Sequence, residues 1–336
     1  MLVGGFGTRL RPLTLTTPKQ MLPVAGRPMI EDVLGHLRAH GVDEVVLSLG
    51  YRPDAFIDAY PDAICAGVRL VYAVEPSPLD TAGAIAFAAR EAGIDERFLV
   101  VNGDVLTELD VTALVAFHAA AGAEGTIALT KVDDPSQFGV VPTDADGRVL
   151  AFVEKPPRDE APTDLINAGY YVLEPSVLER VPAGRKVNIE RETFPAMVAD
   201  RCLYARADPA YWLDVGTPER LLQASLDVLT GVRSGGPLDG VLVCGHAIVE
   251  AGASVTRSVI GDGGHVAAGA VVEDSVLLPG AGVEAGAVVR RSIVGASALV
   301  RASSSVLELT VLGDCVETAP GDTLVGVRVP DPDAAA

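Results

Sequence analysis

The last third of the chain repeats a six-residue beat, and few folds can carry one. Apolar residues stand at Val243, Val249 and Val255, then at Ile260, Val266 and Val272. The series resets at Leu277, Val283 and Val289, and again at Val294, Val300 and Val306. Ser258, Ser275 and Ser292 recur every 17 residues. Helical periodicity is absent, and valine, alanine and glycine dominate. A backbone that turns a corner every six residues sets each residue over its counterpart one coil later. Residues 241–330 are therefore predicted to form a parallel β-helix of hexapeptide repeats, whose coils bury one another. His246 and His265 within it read as coil-corner residues rather than as the base of an acyltransferase.

Residues 1–232 are organised differently. Residues 28–40 have helical apolar spacing, with Gly41 as the stop. "EVVLSLG" (44–50), "VRLVYAVE" (68–75), "FLVVNGDV" (98–105) and "TIALTKV" (126–132) read as buried strands. "GAIAFAARE" (83–91) and "DVTALVAFHAA" (110–120) between them read as helices. This alternation predicts an α/β fold, Rossmann-like, with a mixed, mainly parallel sheet covered on both faces. An Asp-Gly pair inside 138–154 signals a hairpin. Thr217 and Pro218 read as the N-cap and first residue of a helix. The expected domains are a catalytic domain over 1–232, a linker over 233–240, the β-helix over 241–330 and a tail over 331–336.

Composition narrows the partners. The formal net charge is −19, which argues against nucleic acid or an anionic membrane as the main partner. No apolar run approaches the ~20 residues of a membrane span. Cys65, Cys202, Cys244 and Cys315 lie far apart, without metal-ligand spacing, as expected of reduced thiols in a cytoplasmic protein. Arginine is the default cation. Only Lys19, Lys131, Lys155 and Lys186 are lysines, and a retained lysine suits a site that needs a compact point charge.

The chain opens on Gly4, Gly5 and Gly7, followed by Thr8 and Arg9. Neither GxxxxGK[ST] nor GxGxxG is present. Glycines let backbone amides approach phosphate oxygens, and an arginine beside them can stabilise charge on a transferring phosphoryl group. A tight turn would use the same glycines. The full string "GGFGTRLRPLTLTTPKQMLPVAGRPMI" (4–30) resembles the signature of the sugar-1-phosphate nucleotidylyltransferases, the nucleotide-sugar pyrophosphorylases. The resemblance implies that Gly4, Gly5, Gly7 and Thr8 cradle the nucleotide phosphates, while Arg9 and Lys19 neutralise the triphosphate as pyrophosphate leaves.

Other motifs align with the same family. "VVNGDV" sets Asp104 at the carboxyl end of an apolar strand, where open α/β sheets bind ligands. "WLDVGTP" offers Asp214 in a similar place. The family uses the matching carboxylates for metal, here expected to be Mg²⁺, which prefers oxygen ligands. "FVEKP" and "NAG" resemble the sugar-phosphate half of the site. They imply a phosphate contact from Lys155, hydroxyl contacts from Glu154 and Asn167, and a backbone contact from Gly139. "EPSPLDTAGAI" (75–85) is similar to the base- and ribose-binding turn, with Thr81 and Gly83 on the nucleotide. Asp80 replaces the family's glycine there, either to cap the following helix or to meet a guanine edge.

The resemblance covers the whole chain and implies a left-handed β-helix. Within the family, "INAGYYVLEPSVLERVPAGRKVNIERETFPAMVAD" is most similar to short, two-domain bacterial mannose-1-phosphate guanylyltransferases. The implied reaction is direct in-line attack of a sugar 1-phosphate, mannose 1-phosphate first, on a nucleoside triphosphate, GTP first. No nucleophilic Ser or Cys is needed. The alternatives are thymidylyl or uridylyl transfer to glucose 1-phosphate, guanylyl transfer to a heptose phosphate, and a catalytically silent regulatory paralogue. A homo-oligomer is expected, with the β-helix serving assembly or regulation. Only Met1, Leu2 and Val3 precede the glycine loop, where strands commonly run about 5–6 residues. A natural start a few residues upstream is therefore expected.

Overall fold

Strand β1 (Glu44–Leu49) lies parallel to β2 (Val68–Val74), in register from Glu44 opposite Arg69 to Leu49 opposite Val74. Farther along come β3 (Phe98–Val101), β4 (Gly125–Lys131), β5 (Leu165–Leu173) and β6 (Leu203–Ala207). β5 runs antiparallel to both β3 and β4, while β6 is parallel to β4. The sheet is thus mixed. These elements belong to the first of two units into which the chain divides, Met1–Gly5 with Glu31–Trp212; the second joins Phe6–Ile30 to Leu213–Ala336. The structure is a computed structural model and describes residues 1–234 and 240–331. Positions 235–239 of the expected linker and 332–336 of the expected tail lie outside the described residues.

The first three residues are paired on both sides. Leu2 bridges in parallel to Ser48 and to Asn102. Its amide donates to Val101 O at 2.9 Å, and Ser48 N donates to Met1 O at 2.9 Å. The Met1 ammonium donates to Val46 O at 2.8 Å. Met1 to Val3 therefore knit β1 to the end of β3. A cavity of about 420 Å³ begins at Met1, lined in part by Val46, Ile85, Leu99 and Val101. Burial lowers the pKa of the Met1 amino group to about 5.

The expected helices form at Met29–Ala39, Asp80–Glu91 and Val111–Ala121. Asp110 caps the third by accepting from Ala113 N at 2.9 Å. The hairpin pairs Gly139–Val140 with Val153–Glu154, and Gly147 takes the positive φ, 81°, that its turn requires. Ile127, Tyr171, Leu173, Phe194, Met197 and Leu203 form the heart of this unit's core.

The second unit contains a parallel β-solenoid. Among the described residues its strands stack into three sheets of six, four and five strands. Val241 lies over Ser258, Val259 over Val276 and Val276 over Ile293. One coil is longer by a residue, since Ile293 pairs with Val311. The periodic apolar residues from Ile260 to Leu312 fill the interior and are fully buried. Val243 and Val249 stand in the first coil, and both are exposed. The serines form a ladder: Ser275 N donates to Ser258 Oγ at 3.1 Å and Ser292 N to Ser275 Oγ at 3.2 Å. A buried amide at each corner is thereby satisfied by the coil before it. In the same unit, Thr217 caps the helix Pro218–Leu229, its hydroxyl accepting from Arg220 N at 3.3 Å.

Candidate active site

In the first unit the "NAG" motif is a break in the β-ladder. The register of β5 on β4 shifts between Asn167 and Tyr171, and Gly169 there has φ 76°. A β-carbon at Gly169 would lie 2.7 Å from Asn102 Nδ2, so only glycine lets the strand pass. Bulges re-aim the residues beside them. Asn167 is buried, and its amide is committed internally: Oδ1 accepts from Gly169 N at 2.9 Å, and Nδ2 donates to Tyr171 Oη at 2.9 Å and Glu190 Oε1 at 3.1 Å. Trp212 steadies the bulge, with Nε1 donating to Ala168 O at 2.9 Å and its ring edge-on to Phe138.

Beside this bulge stands a charged group that includes Glu154, Lys155 and Glu190. Lys155 Nζ lies 3.3 Å from Glu154 Oε1. Gly139 faces them across the hairpin, where a β-carbon would lie 3.2 Å from Glu154 Oε2 and press into the Phe152 ring. Burial, with the Glu154 carboxylate nearby, raises the Glu190 carboxyl above its usual pKa. The Tyr171 hydroxyl is pushed far up by burial, then by the charges of Glu190, Glu154 and Asp104. Asp104 itself sits in the turn after β3, whose Val105 N donates to Asn102 O at 3.2 Å. Gly103 before it cannot carry a side chain, because a β-carbon would lie 2.7 Å from Val3 Cγ1.

Gly4 passes Gly50 closely; a β-carbon on it would lie 3.2 Å from Gly50 N and 3.4 Å from Glu75 Oε1. Gly5 is exposed. Asp80 has φ 61°, which explains why a glycine fits the family's pattern at that position. Its Oδ1 accepts from Thr81 N at 2.8 Å and Asn188 Nδ2 at 2.9 Å. The helix N-cap is Leu79, without a side-chain cap, so the aspartate ties the turn to Asn188 instead. Thr81 Oγ1 accepts from Ile189 N at 2.8 Å. Gly83 gives room to the same segment, since a β-carbon would lie 2.8 Å from Arg185 O.

The second unit holds the rest of the signature. Gly7 has φ 62°, and its carbonyl accepts from Thr14 Oγ1 at 2.7 Å and Leu10 N at 2.9 Å. The short 3₁₀ turn Thr8–Leu10 follows, with Thr8 and Arg9 exposed while Leu10 and Leu13 are fully buried. A β-carbon on Gly7 would lie 3.3 Å from Lys19 Cβ, so the lysine stem flanks the glycine. Arg9 and Asp214 meet at Gly216. A β-carbon there would collide with Arg9 Nη2, and Asp214 Oδ1 would be only 2.7 Å from it.

Sequence reasoning passed over Glu190, Asn188, Tyr171 and Trp212. Glu190 and Asn188 stand in "KVNIERETFP", a charged stretch without periodicity, and only the fold sets it beside the turn at Asp80. Of the lysines outside the motifs, Lys131 pairs with Asp164 at 2.8 Å. Among the described residues, no cluster of three or more His, Cys, Asp or Glu side chains could hold a metal. No helix there is long and apolar enough to cross a membrane.

Residues 1–231 match the family model described as nucleotidyl transferase, and residues 238–331 match the GMPPB C-terminal domain. The chain is 43% identical over 268 residues to mannose-1-phosphate guanylyltransferase of Mycobacterium tuberculosis, covering 79% of this chain and 73% of that protein. It is 39% identical over 262 residues to mannose-1-phosphate guanylyltransferase 1 of Arabidopsis thaliana, covering 76% and 72%. Among solved structures, HddC from Yersinia pseudotuberculosis complexed with GMP-PN superposes with a TM-score of 0.58 at 30% identity, covering 67% of this chain and 96% of that one. The glycine signature, the bulged NAG strand and these relatives agree: the chain belongs to the sugar-1-phosphate nucleotidyltransferase family, with mannose-1-phosphate guanylyltransferases among its relatives.

Proposed function

We propose that the protein transfers a guanylyl group from GTP to mannose 1-phosphate, forming GDP-mannose and pyrophosphate. A phosphate oxygen of the sugar attacks the α-phosphorus in line. The new P–O bond forms as the bond to the bridging oxygen breaks, and pyrophosphate leaves with that electron pair. Such a reaction needs positioning and charge neutralisation more than covalent help. Arg9 and Lys19 would meet the triphosphate, the exposed Lys155 the sugar phosphate, and Glu154 and Glu190 the sugar hydroxyls.

Asp104 and Asp214 would hold Mg²⁺. Their hard carboxylate oxygens suit that ion. Two protein carboxylates suffice for such an ion when phosphate and water supply its other ligands. Bound there, Mg²⁺ would offset charge on the phosphates.

The observation that carries the reaction class is the meeting of the Arg9 guanidinium and the Asp214 carboxylate at Gly216. The names of the relatives support guanine and mannose as the choice of substrates. All four cysteines are free, which suits action in the cytoplasm. We expect a homo-oligomer there. The test is pyrophosphate release from ATP, CTP, GTP, UTP and dTTP, each with mannose, glucose and heptose 1-phosphates. GTP with mannose 1-phosphate should give the highest kcat/KM. A preference for dTTP or UTP with glucose 1-phosphate, or for a heptose phosphate, would replace the substrates. No release from any pair would indicate a regulatory paralogue.

A further inference from the structure

The signature segment and the last coils of the solenoid share one unit, and three contacts join them. Arg328, in the terminal strand Arg328–Val329, donates from Nη1 to Arg9 O at 3.0 Å and to Arg11 O at 3.3 Å. The Thr16 hydroxyl donates to Asp314 Oδ2, whose Oδ1 accepts from Ala296 N at 2.9 Å. Gly313 lies against Pro12, and a β-carbon on it would be 3.1 Å from Pro12 Cβ. These contacts are specific. A charged donor held on two backbone carbonyls fixes the Arg9–Leu10 and Arg11–Pro12 peptide planes, and hydrogen bonds to charged groups are the stronger kind. The same turn is already pinned by Gly7 O and by the buried Leu10 and Leu13.

We propose that Arg328 is a positioning residue for nucleotidyl transfer. It holds the backbone of Arg9 so that the guanidinium stays over Gly216 beside Asp214, and the last solenoid coils are thereby part of the nucleotide side of the site. Arg328 reaches substrate only through Arg9, so this role rests on the assignment of Arg9 to the triphosphate. It also gives the solenoid work beyond assembly. Solenoid stability passes from coil to coil, so loss of order in the terminal coils would reach the phosphate loop directly.

The experiment measures pyrophosphate release by the full-length protein, with GTP and mannose 1-phosphate varied separately. Arg328→Ala should raise the KM for GTP or lower kcat about tenfold, while the KM for mannose 1-phosphate stays within about twofold, as expected for lost positioning on one substrate only. Arg328→Lys should recover part of the loss. Thr16→Val is a milder change that keeps side-chain volume at an exposed position, and it should move the same constants in the same direction. Arg257→Ala is the control. It breaks a solenoid ion pair with Asp274 and should leave all constants unchanged.

Unchanged GTP constants in both Arg328→Ala and Thr16→Val, with the protein folded, would overturn the proposal. So would an equal rise in both KM values, or equal loss in Arg257→Ala, because either would mean general destabilisation. Arg9→Ala separates this failure from failure of the underlying assignment. If Arg9→Ala impairs GTP use and Arg328→Ala does not, only the positioning role falls. If Arg9→Ala leaves GTP use intact, the assignment of Arg9 falls, and the positioning role with it.

Discussion

The Arg9 guanidinium and the Asp214 carboxylate approach each other over Gly216, in a space with no room for a β-carbon. The backbone of Gly216 does not show the positive φ that would itself demand glycine. The requirement is therefore one of space. Gly216→Ala should fold normally yet displace both groups, lowering kcat about 100-fold, the scale of losing one preorganised electrostatic contact. Near-normal pyrophosphate release by the alanine variant would show that the arrangement is not used.

Asp104→Asn and Asp214→Asn keep the shape of each side chain and remove its charge. Each should reduce kcat by several orders of magnitude while the melting temperature stays close to that of the parent. Isothermal titration of Mg²⁺ in the presence of a non-hydrolysable GTP analogue gives a second readout, which should weaken in both. Normal turnover at saturating Mg²⁺ in either variant would end the assignment of that residue.

The two motif lysines should separate kinetically. Lys155→Ala should raise the KM for mannose 1-phosphate about tenfold or more, with little change for GTP. Lys19→Ala should act mainly on the GTP side. The opposite pattern in steady-state kinetics would mean that the two substrates occupy exchanged places.

Glu190 makes stability depend on pH. Its pKa is raised in the folded protein, first by burial and then by Glu154, so ionisation costs stability above the folded-state value. That cost vanishes below the ordinary carboxylate range, where folded and unfolded chains are both protonated. Glu190→Gln keeps an oxygen to accept from Asn167 and removes the charge. Thermal melts should show it more stable than the parent at pH 8, with the gain fading by pH 4. An equal gain at both values would place the effect in packing rather than ionisation.

The cavity at Met1 offers a separate test. Residues placed ahead of Leu2 in extended form, such as Met-Lys-Ala-Val, would continue the pairing of Leu2 into a space lined by Val46, Leu99 and Val101. Filling apolar space and pairing strand edges both stabilise. The melting temperature should rise and the KM for GTP should fall or hold. No change in either quantity would show that the short strand costs nothing.

The periodic parts of the protein were legible in the sequence. A six-residue beat admits one way of stacking coils, and the serines spaced by 17 had to fall on one corner, where they now satisfy one another's amides. The helix cap at Thr217 was equally local, since a cap is decided by a side chain and the amide three residues on. The phosphate signature was legible because its residues are contiguous. What tertiary structure alone decided are the contacts between stretches with no sequence pattern to link them. Asp80 could be read as a cap or a base contact, but its partner is Asn188, 108 residues away. Asn167 could be read as a sugar ligand, but the bulge at Gly169 turns its amide toward Tyr171 and Glu190. Arg328 carries no motif at all, and its place on Arg9 and Arg11 depends on the coil register set by every repeat before it. Local chemistry follows from neighbours along the chain, whereas long-range pairings depend on where the chain returns, and only the folded backbone determines that.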